Sequence, residues 1–489
     1  MTGPQQAASE QVRTLAVAAM GTVLVLIAYT TPVATLASTA SGLGAGPAGQ
    51  AWILSSMSCG LAVALLPAGA IGDDYGRRRM FAAGTVLLAL TCVLAALAPD
   101  TAVLVAARIG QGLGGAAILA CSLGLIGHAF PPGPARVHAT GVWGACVGGG
   151  IALGPLLAGG LDAALDWRSA YAAIAVLAAV LAVLSWRLLT ESRSDREQAV
   201  DLAGIALLGA ALAALLAGLV EGRSGWTQPA VIGLLAGGIL LAAGFVVVEL
   251  RRRAPMLDLR LFRKPDFAGA TIAALATGGG VIAAMSFLPT LLQRGLRHGV
   301  VYAALMLLGW SATSVVTALL ARHLPAGFAP RAQLAAGLLG VAVGQAMLTG
   351  LDSRAGAGRV LPGLLVAGAA SGVLNAALAR QAVASAPAGL ASIGSGANNT
   401  ARYLGAAIGV TIVAVLAAHP TSAGLISGWN VAVLVTAAIS VAGALAVAVF
   451  GSRASTRQAP AATIDPGQRG SQPDPGQRGP QLRKPARRG

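Results

Sequence analysis

Fourteen long apolar runs follow one another along this chain, at about 14–36, 50–72, 80–98, 101–127, 138–161, 169–189, 201–221, 229–250, 267–292, 299–320, 331–351, 360–384, 394–418 and 427–450. A helix crosses hydrocarbon with roughly 20 apolar residues, whereas a barrel strand needs only about 10. Inside lipid every backbone N–H and C=O must be satisfied by the protein itself, which leaves helices and closed barrels. Runs of this length predict an all-α membrane protein with fourteen transmembrane helices. Only 10% of the 489 residues are charged, against about 25% in soluble proteins. The 66 glycines suit helices that approach one another closely in lipid.

The net charge of +16 does not describe a basic face for nucleic acid, because the arginines alternate with the apolar spans. With the N-terminus inside, seventeen Lys and Arg fall in the inner connections, among them Arg13, Arg77 to Arg79, Arg136, Arg187 and Arg251 to Arg253. Six fall outside, Arg168, Arg223, Arg294, Arg297, Arg354 and Arg359, and the C-terminal tail adds eight to the inner set. This bias predicts a multi-pass protein with both termini cytoplasmic. Residues 1–13 read as a cytoplasmic N-terminus leading into the first span. The tail, 451–489, repeats "DPGQRG" among Pro, Gly, Gln and Arg; such a segment is expected to be disordered and drawn to anionic lipid headgroups. Cys59, Cys92, Cys121 and Cys146 all lie in apolar runs, where free Cys packs as a small hydrophobe. Neither disulfide nor metal spacing occurs, and no nucleophile or paired mid-span acids converge, so the expectation is no metal, no cofactor and no enzyme.

Three stretches carry more than hydrophobicity. "GAIGDDYGRRRM", 69 to 80, sets two acids and three arginines between two uncharged spans. Its arginines enforce topology, Gly69 and Gly76 permit close approach and a tight turn, and Asp73 can face a helix N-terminus or an arginine as a charge latch with Arg77 and Arg78. Arg108, with Gln111 and Gly112, lies inside the fourth run, where an unpartnered arginine costs several kcal/mol and is functional by default. The alternative is an arginine that snorkels to the outer surface, seven residues from the start of its span. In the fifth run Gly144, Gly148, Gly150, Gly154, Pro155 and Gly159 make a small-residue groove with a proline kink.

The pattern Gly69-x-Ile71-x-Asp73-x-x-Gly76-Arg77-Arg78 resembles the loop between spans two and three of the major facilitator superfamily. Arg108-x-x-Gln111-Gly112-x-Gly114 resembles its fourth span, and Gly150-x-x-x-Gly154-Pro155-x-x-Ala158-Gly159 its exporters' fifth. "DWRSAY", 166 to 171, matches the Trp-Arg pair before span six. "RRRAPMLDLRLFRKPDF", 251 to 267, and "GLASIGSGANNTARYLGAAIGV", 389 to 410, are similar to the fourteen-span drug:proton antiporters. The resemblance implies a major facilitator fold with a six-helix bundle over 14–189, two inserted helices over 190–266 and a second six-helix bundle over 267–450. It also implies a plasma-membrane exporter working by alternating access. Such a protein would be monomeric, surrounded by membrane lipids, without a cofactor and with the proton gradient as its candidate energy source.

The chain departs from the family at Asp74, where a basic residue is usual, at Ala158, where Gly is usual, and in "IAYTTPVATL", where Ala28 or Tyr29 replaces an acid. None of the 17 acids lies near a predicted mid-span. The basic residues placed within spans are Arg108 and Arg402, the latter sharing a helical face with Asn398 at i, i+4. Tyr29, Arg108, Gln111, Asn398, Asn399 and Arg402 are therefore the expected substrate or coupling cavity, and the expected cargo is a small amphipathic compound, neutral or anionic. A sensor or scaffold on the same fold, or a facilitator without proton coupling, is the alternative.

Overall fold

The computed structural model describes residues 4–194, 201–223, 225–252, 255, 257–325, 328–387, 389–417, 419 and 421–455. Of the tail 451–489 expected to be disordered, 451–455 instead continue the last helix, Ser422–Ser455; Asp195, Arg196, Glu197, Arg253 and the tail from 456 onward lie outside the described residues.

Fourteen helices account for the fourteen apolar runs. They are α1 (Pro4–Leu43), α2 (Pro47–Tyr75), α3 (Arg77–Ala96), α4 (Thr101–Ala129), α5 (Pro134–Ala164), α6 (Trp167–Leu188), α7 (Leu202–Gly222) and α8 (Pro229–Arg251). The series continues with α9 (Pro265–Gly295), then α10 (Val300–Leu320), α11 (Pro330–Ala346), α12 (Ala357–Ala384), α13 (Ala391–Ala417) and α14 (Ser422–Ser455). Most of 1–13 thus continues the first helix, from Pro4 onward. Asp100, Asp166 and Asp201 cap α4, α6 and α7 by accepting from backbone amides three residues on, satisfying donors that a helix start leaves free. α9 is one span interrupted by two wide π turns, Thr277–Ile282 and Leu291–Gly295, flanking Pro289, which deprives the helix of one N–H donor. α11, at 17 residues, stops short of the expected 351. Arg359 donates to the carbonyls of Met347 and Thr349, and Gly350 turns at φ 66°, so the last carbonyls are met by a cation rather than by a further turn.

Helices α1 to α6 pack among themselves, α4 against α1, α2 and α3 and α1 against α5 and α6. Helices α9 to α14 form a second bundle, with α12 against α10 and α11, and α14 against α9, α11 and α13. The bundles meet along two seams, α2 against α13 and α5 against α10 and α12. The inserted α7 and α8 pack on each other, and α7 lies against both α2 and α13. Apolar side chains such as Leu240 and Val176 point outward, 72% and 65% exposed, the signature of a surface that faces lipid rather than water.

Glycine sets the closest contacts. A Cβ at Gly60 would stand 2.2 Å from the Ile109 carbonyl oxygen, and one at Gly112 2.4 Å from that of Met57, so α2 and α4 touch backbone to backbone. Gly112→Val is expected to cost about 3 kcal/mol or more by overpacking, read as loss of the monodisperse peak in size-exclusion chromatography. Gly160→Ala, at a site with nothing within 4 Å, should stay within about 0.5 kcal/mol of the parent.

Candidate functional site

At the membrane face carrying residues 69–80, hereafter the latch face, the α2–α13 seam is closed by one fully buried carboxylate. Asp73, near the end of α2, accepts from Arg77 Nε at 2.7 Å and from the backbone amides of Ser392 and Ile393 at 3.2 and 2.8 Å. Those amides are free donors of the first turn of α13, where the helix dipole favours a negative charge. Helix terminus and arginine, open alternatives in the sequence, act together. Arg77, itself 2% exposed, also donates to Ser392 Oγ at 3.2 Å and to the Gly389 carbonyl at 2.6 Å. One bundle thus supplies a carboxylate and a guanidinium to the end of a helix from the other. Gly69 is required by the same contact, since a Cβ there would lie 2.4 Å from the Ser392 carbonyl oxygen.

A third strand of this junction was not legible from the loop motif. After α6 the chain runs beneath the latch, where the Ser192 carbonyl accepts from Arg77 N at 2.9 Å and Ser194 N donates to the Asp73 carbonyl at 2.6 Å. Glu191 accepts from Arg78 N at 3.0 Å and lies 3.7 and 3.6 Å from the Nε atoms of Arg78 and Arg79. Gly76, at φ 127°, makes the turn beneath it, and a Cβ there would strike the Glu191 carboxylate. Arg78 also covers the Trp186 ring at 4.9 Å. Nothing in the sequence singled out Glu191 from Asp195, Glu197 and Asp201 in the same connection.

Deeper in the first bundle, Arg108 is fully buried and donates from Nη1 to the Ala28 carbonyl at 2.6 Å and to Gln111 Oε1 at 3.0 Å, and from Nη2 to the Tyr29 carbonyl at 3.2 Å. The local sequence explains this. Pro32 has no N–H, so Ala28 four residues earlier loses its helical donor. Thr30 and Thr31 turn their hydroxyls back on Leu26 and Ile27, which bends helices. Ala28 and Tyr29, where the resemblance led one to expect an acid, offer carbonyls, and an arginine from α4 takes them.

The expected cavity residues do not all meet. Tyr29 stacks edge-on against Tyr403 of α13 at 5.7 Å, and its hydroxyl accepts from Ser58 of α2 at 3.2 Å. Tyr403 was missed in the sequence, although it follows Asn399 by one helical turn. On that same side Ser395 donates to the Leu119 carbonyl of α4 at 3.3 Å, and Asn399 turns back onto the Ser395 carbonyl at 3.1 Å. Asn398 instead donates to the Ala270 carbonyl of α9 at 3.0 Å, so it serves packing within the second bundle. Arg402, 4% exposed, carries an Nε without a hydrogen-bond partner, and no carboxylate pairs with it among the described residues. Every described acid lies within two turns of a helix end or in a connection.

The fifth-helix glycines divide by face. Gly150 and Gly154 admit α1, where added Cβ atoms would lie 2.6 Å from Leu26 Cβ and 2.0 Å from Thr30 Oγ1, while Gly144 and Gly148 face α12 and α10. Gly159 meets only Ala34 at 3.5 Å, an ordinary contact. Pro155 stands inside this groove. The cysteines are free, three of them buried, and no group of metal-binding residues occurs among the described residues.

The Major Facilitator Superfamily model matches residues 18–410. The chain is 34% identical to "Multidrug resistance protein Stp" of Mycobacterium tuberculosis over 76% of this chain and 70% of that one. It is 29% identical to "Multidrug efflux pump LfrA" of Mycolicibacterium smegmatis over 89% and 86%. Among solved structures, human MFSD10 superposes with a TM-score of 0.65 at 17% identity, over 91% of this chain and 100% of that one, a likeness of fold.

Asp73→Asn should lower substrate flux about tenfold or more, because hydrogen bonds to a charged group are worth 1.5–3 kcal/mol each. Asp74, for which no ion pair is seen among the described residues, should tolerate Asn within about twofold at equal expression. Equal flux through both variants in reconstituted vesicles would contradict the latch.

Proposed function

The chain belongs to the Major Facilitator Superfamily, and on that premise we propose that it exports small amphipathic compounds, antibiotics or metabolites, across the plasma membrane by alternating access. It is a membrane transporter and no enzyme, as its fold and its relatives' names agree. The observation that carries the reading is the Asp73 junction, a breakable charge contact between two bundles at one end of their seam. Alternating access needs such a contact, since rocking must exchange closure at one face for closure at the other. Glycine-lined packing of α5 on α1, with Pro155 inside α5, supports a moving surface rather than a fixed one. The Lys and Arg bias supports a cytoplasmic latch face and cytoplasmic termini, and a single chain holding both bundles supports a working monomer.

The cargo is proposed to be neutral or anionic. Arg402 is buried without a carboxylate partner among the described residues, and a desolvated cation repels permanent cations while attracting acids. Energy coupling has two readings. A proton antiporter fits the family. A facilitator running down the substrate's own gradient is favoured by one observation, the lack of a mid-span carboxylate among the described residues.

Efflux from a pump-deficient host, with and without a protonophore, tests the reading; no export of any member of an amphiphile panel would overturn it. Arg402→Gln should reduce export of an anionic amphiphile about tenfold and that of a neutral one far less. Gly154→Leu should insert normally yet abolish flux, because the side chain would overlap Thr30 and Ile27 on α1, and unchanged flux would remove the groove from the account.

A further inference from the structure

The inserted helix pair reaches the transport seam at both ends. On the latch face Leu66 and Ala70 of α2, Phe245 of α8, and Ile393 and Ala397 of α13 share one apolar cluster. At the far face the α7–α8 turn extends two polar side chains in opposite directions. Glu221 accepts from Trp52 Nε1 of α2 at 2.5 Å, while Arg223 donates through Nη2 to Thr411 Oγ1 of α13 at 3.4 Å. Arg223 is positioned as a connection residue by sequence, yet its guanidinium enters the space between the two bundles. Its Nε is buried with no partner, its one bond is long, and no carboxylate pairs with it among the described residues. The nearest acid in the chain, Glu221, is engaged by Trp52 instead. Thr411, 4% exposed, lies on the side of α13 away from Arg402, since nine residues advance a helix by two and a half turns. The two arginines therefore address different spaces.

We propose that Arg223 and Thr411 form an anion-binding subsite in the far half of the α2–α13 seam, supplied by the insertion and used by the acidic group of the cargo on its way out. A guanidinium offers a planar fork that matches carboxylate or sulfonate. In a low-dielectric seam such a charge is costly until an anion joins it. Thr411 adds a hydroxyl donor on the opposite wall. The insertion then contributes to specificity as well as to the fold's outer surface. This inference rests on the export reading and deepens it.

The full chain in proteoliposomes, loaded with a radiolabelled naphthalenesulfonate or with the matching uncharged sulfonamide, tests the subsite, with protein-free vesicles as background. Arg223→Gln should lower sulfonate flux about tenfold and leave sulfonamide flux within about twofold, and Arg223→Lys, which keeps the charge but not the fork, should restore sulfonate flux only in part. Thr411→Val, a near-isosteric change, should lower sulfonate flux to a smaller degree in the same direction. Equal loss of both probes in Arg223→Gln would make the residue a structural clasp and overturn the proposal, as would no change in either. If the parent carries neither probe nor any other amphiphile, the export reading itself fails; if it carries both and Arg223→Gln leaves their ratio unchanged, only the subsite fails.

Discussion

A single carboxylate is the hinge of this architecture. Taking Asp73 out of water costs several kcal/mol, and the cost is offset only because a guanidinium and two free amides of α13 converge on it. Two of those three bonds come from the other bundle. On the proposed rocking apart of the bundles the acid would lose the two amides and regain water, which would favour the closed arrangement without making it irreversible. Gly69, Gly76 and the 191–194 segment then follow as conditions for bringing a helix end and a charged loop into backbone contact.

The interior solves the reverse problem, cations without acids. Arg108 is held by carbonyls that Pro32 and its neighbours leave available, a dipolar cradle in place of an ion pair. Arg402 and Arg223 have no such cradle. Positive charge without a carboxylate partner among the described residues on both sides of α13 is the basis of the proposed neutral or anionic cargo.

Much of the fold was legible because lipid leaves so few choices. Fourteen apolar runs became fourteen helices with ends shifted by several residues, since hydropathy registers the apolar stretch and not the cap; Arg359 and Gly350 shorten α11 for reasons that only proximity reveals. The Asp73–Arg77 contact was legible because glycines and charges crowd an otherwise apolar chain. Its partner was not, because backbone amides carry no sequence signature. Helical spacing correctly placed Asn398 and Arg402 on one face yet could not say which neighbour that face meets, and the answer for Asn398 is α9. Tyr403, Glu191 and Arg223 were unreadable for the same reason: each acts through a contact more than a hundred residues away in sequence.

The central claim is that Asp73 caps α13 across the bundle interface, and amide hydrogen exchange reads those bonds directly. In the intact protein in nanodiscs, a peptide covering 389–395 should be protected in the parent and exchange at least about tenfold faster in Asp73→Asn. A peptide covering the start of α9, whose own acid is Asp266, should be unchanged. Equal protection of 389–395 in parent and variant would contradict the account.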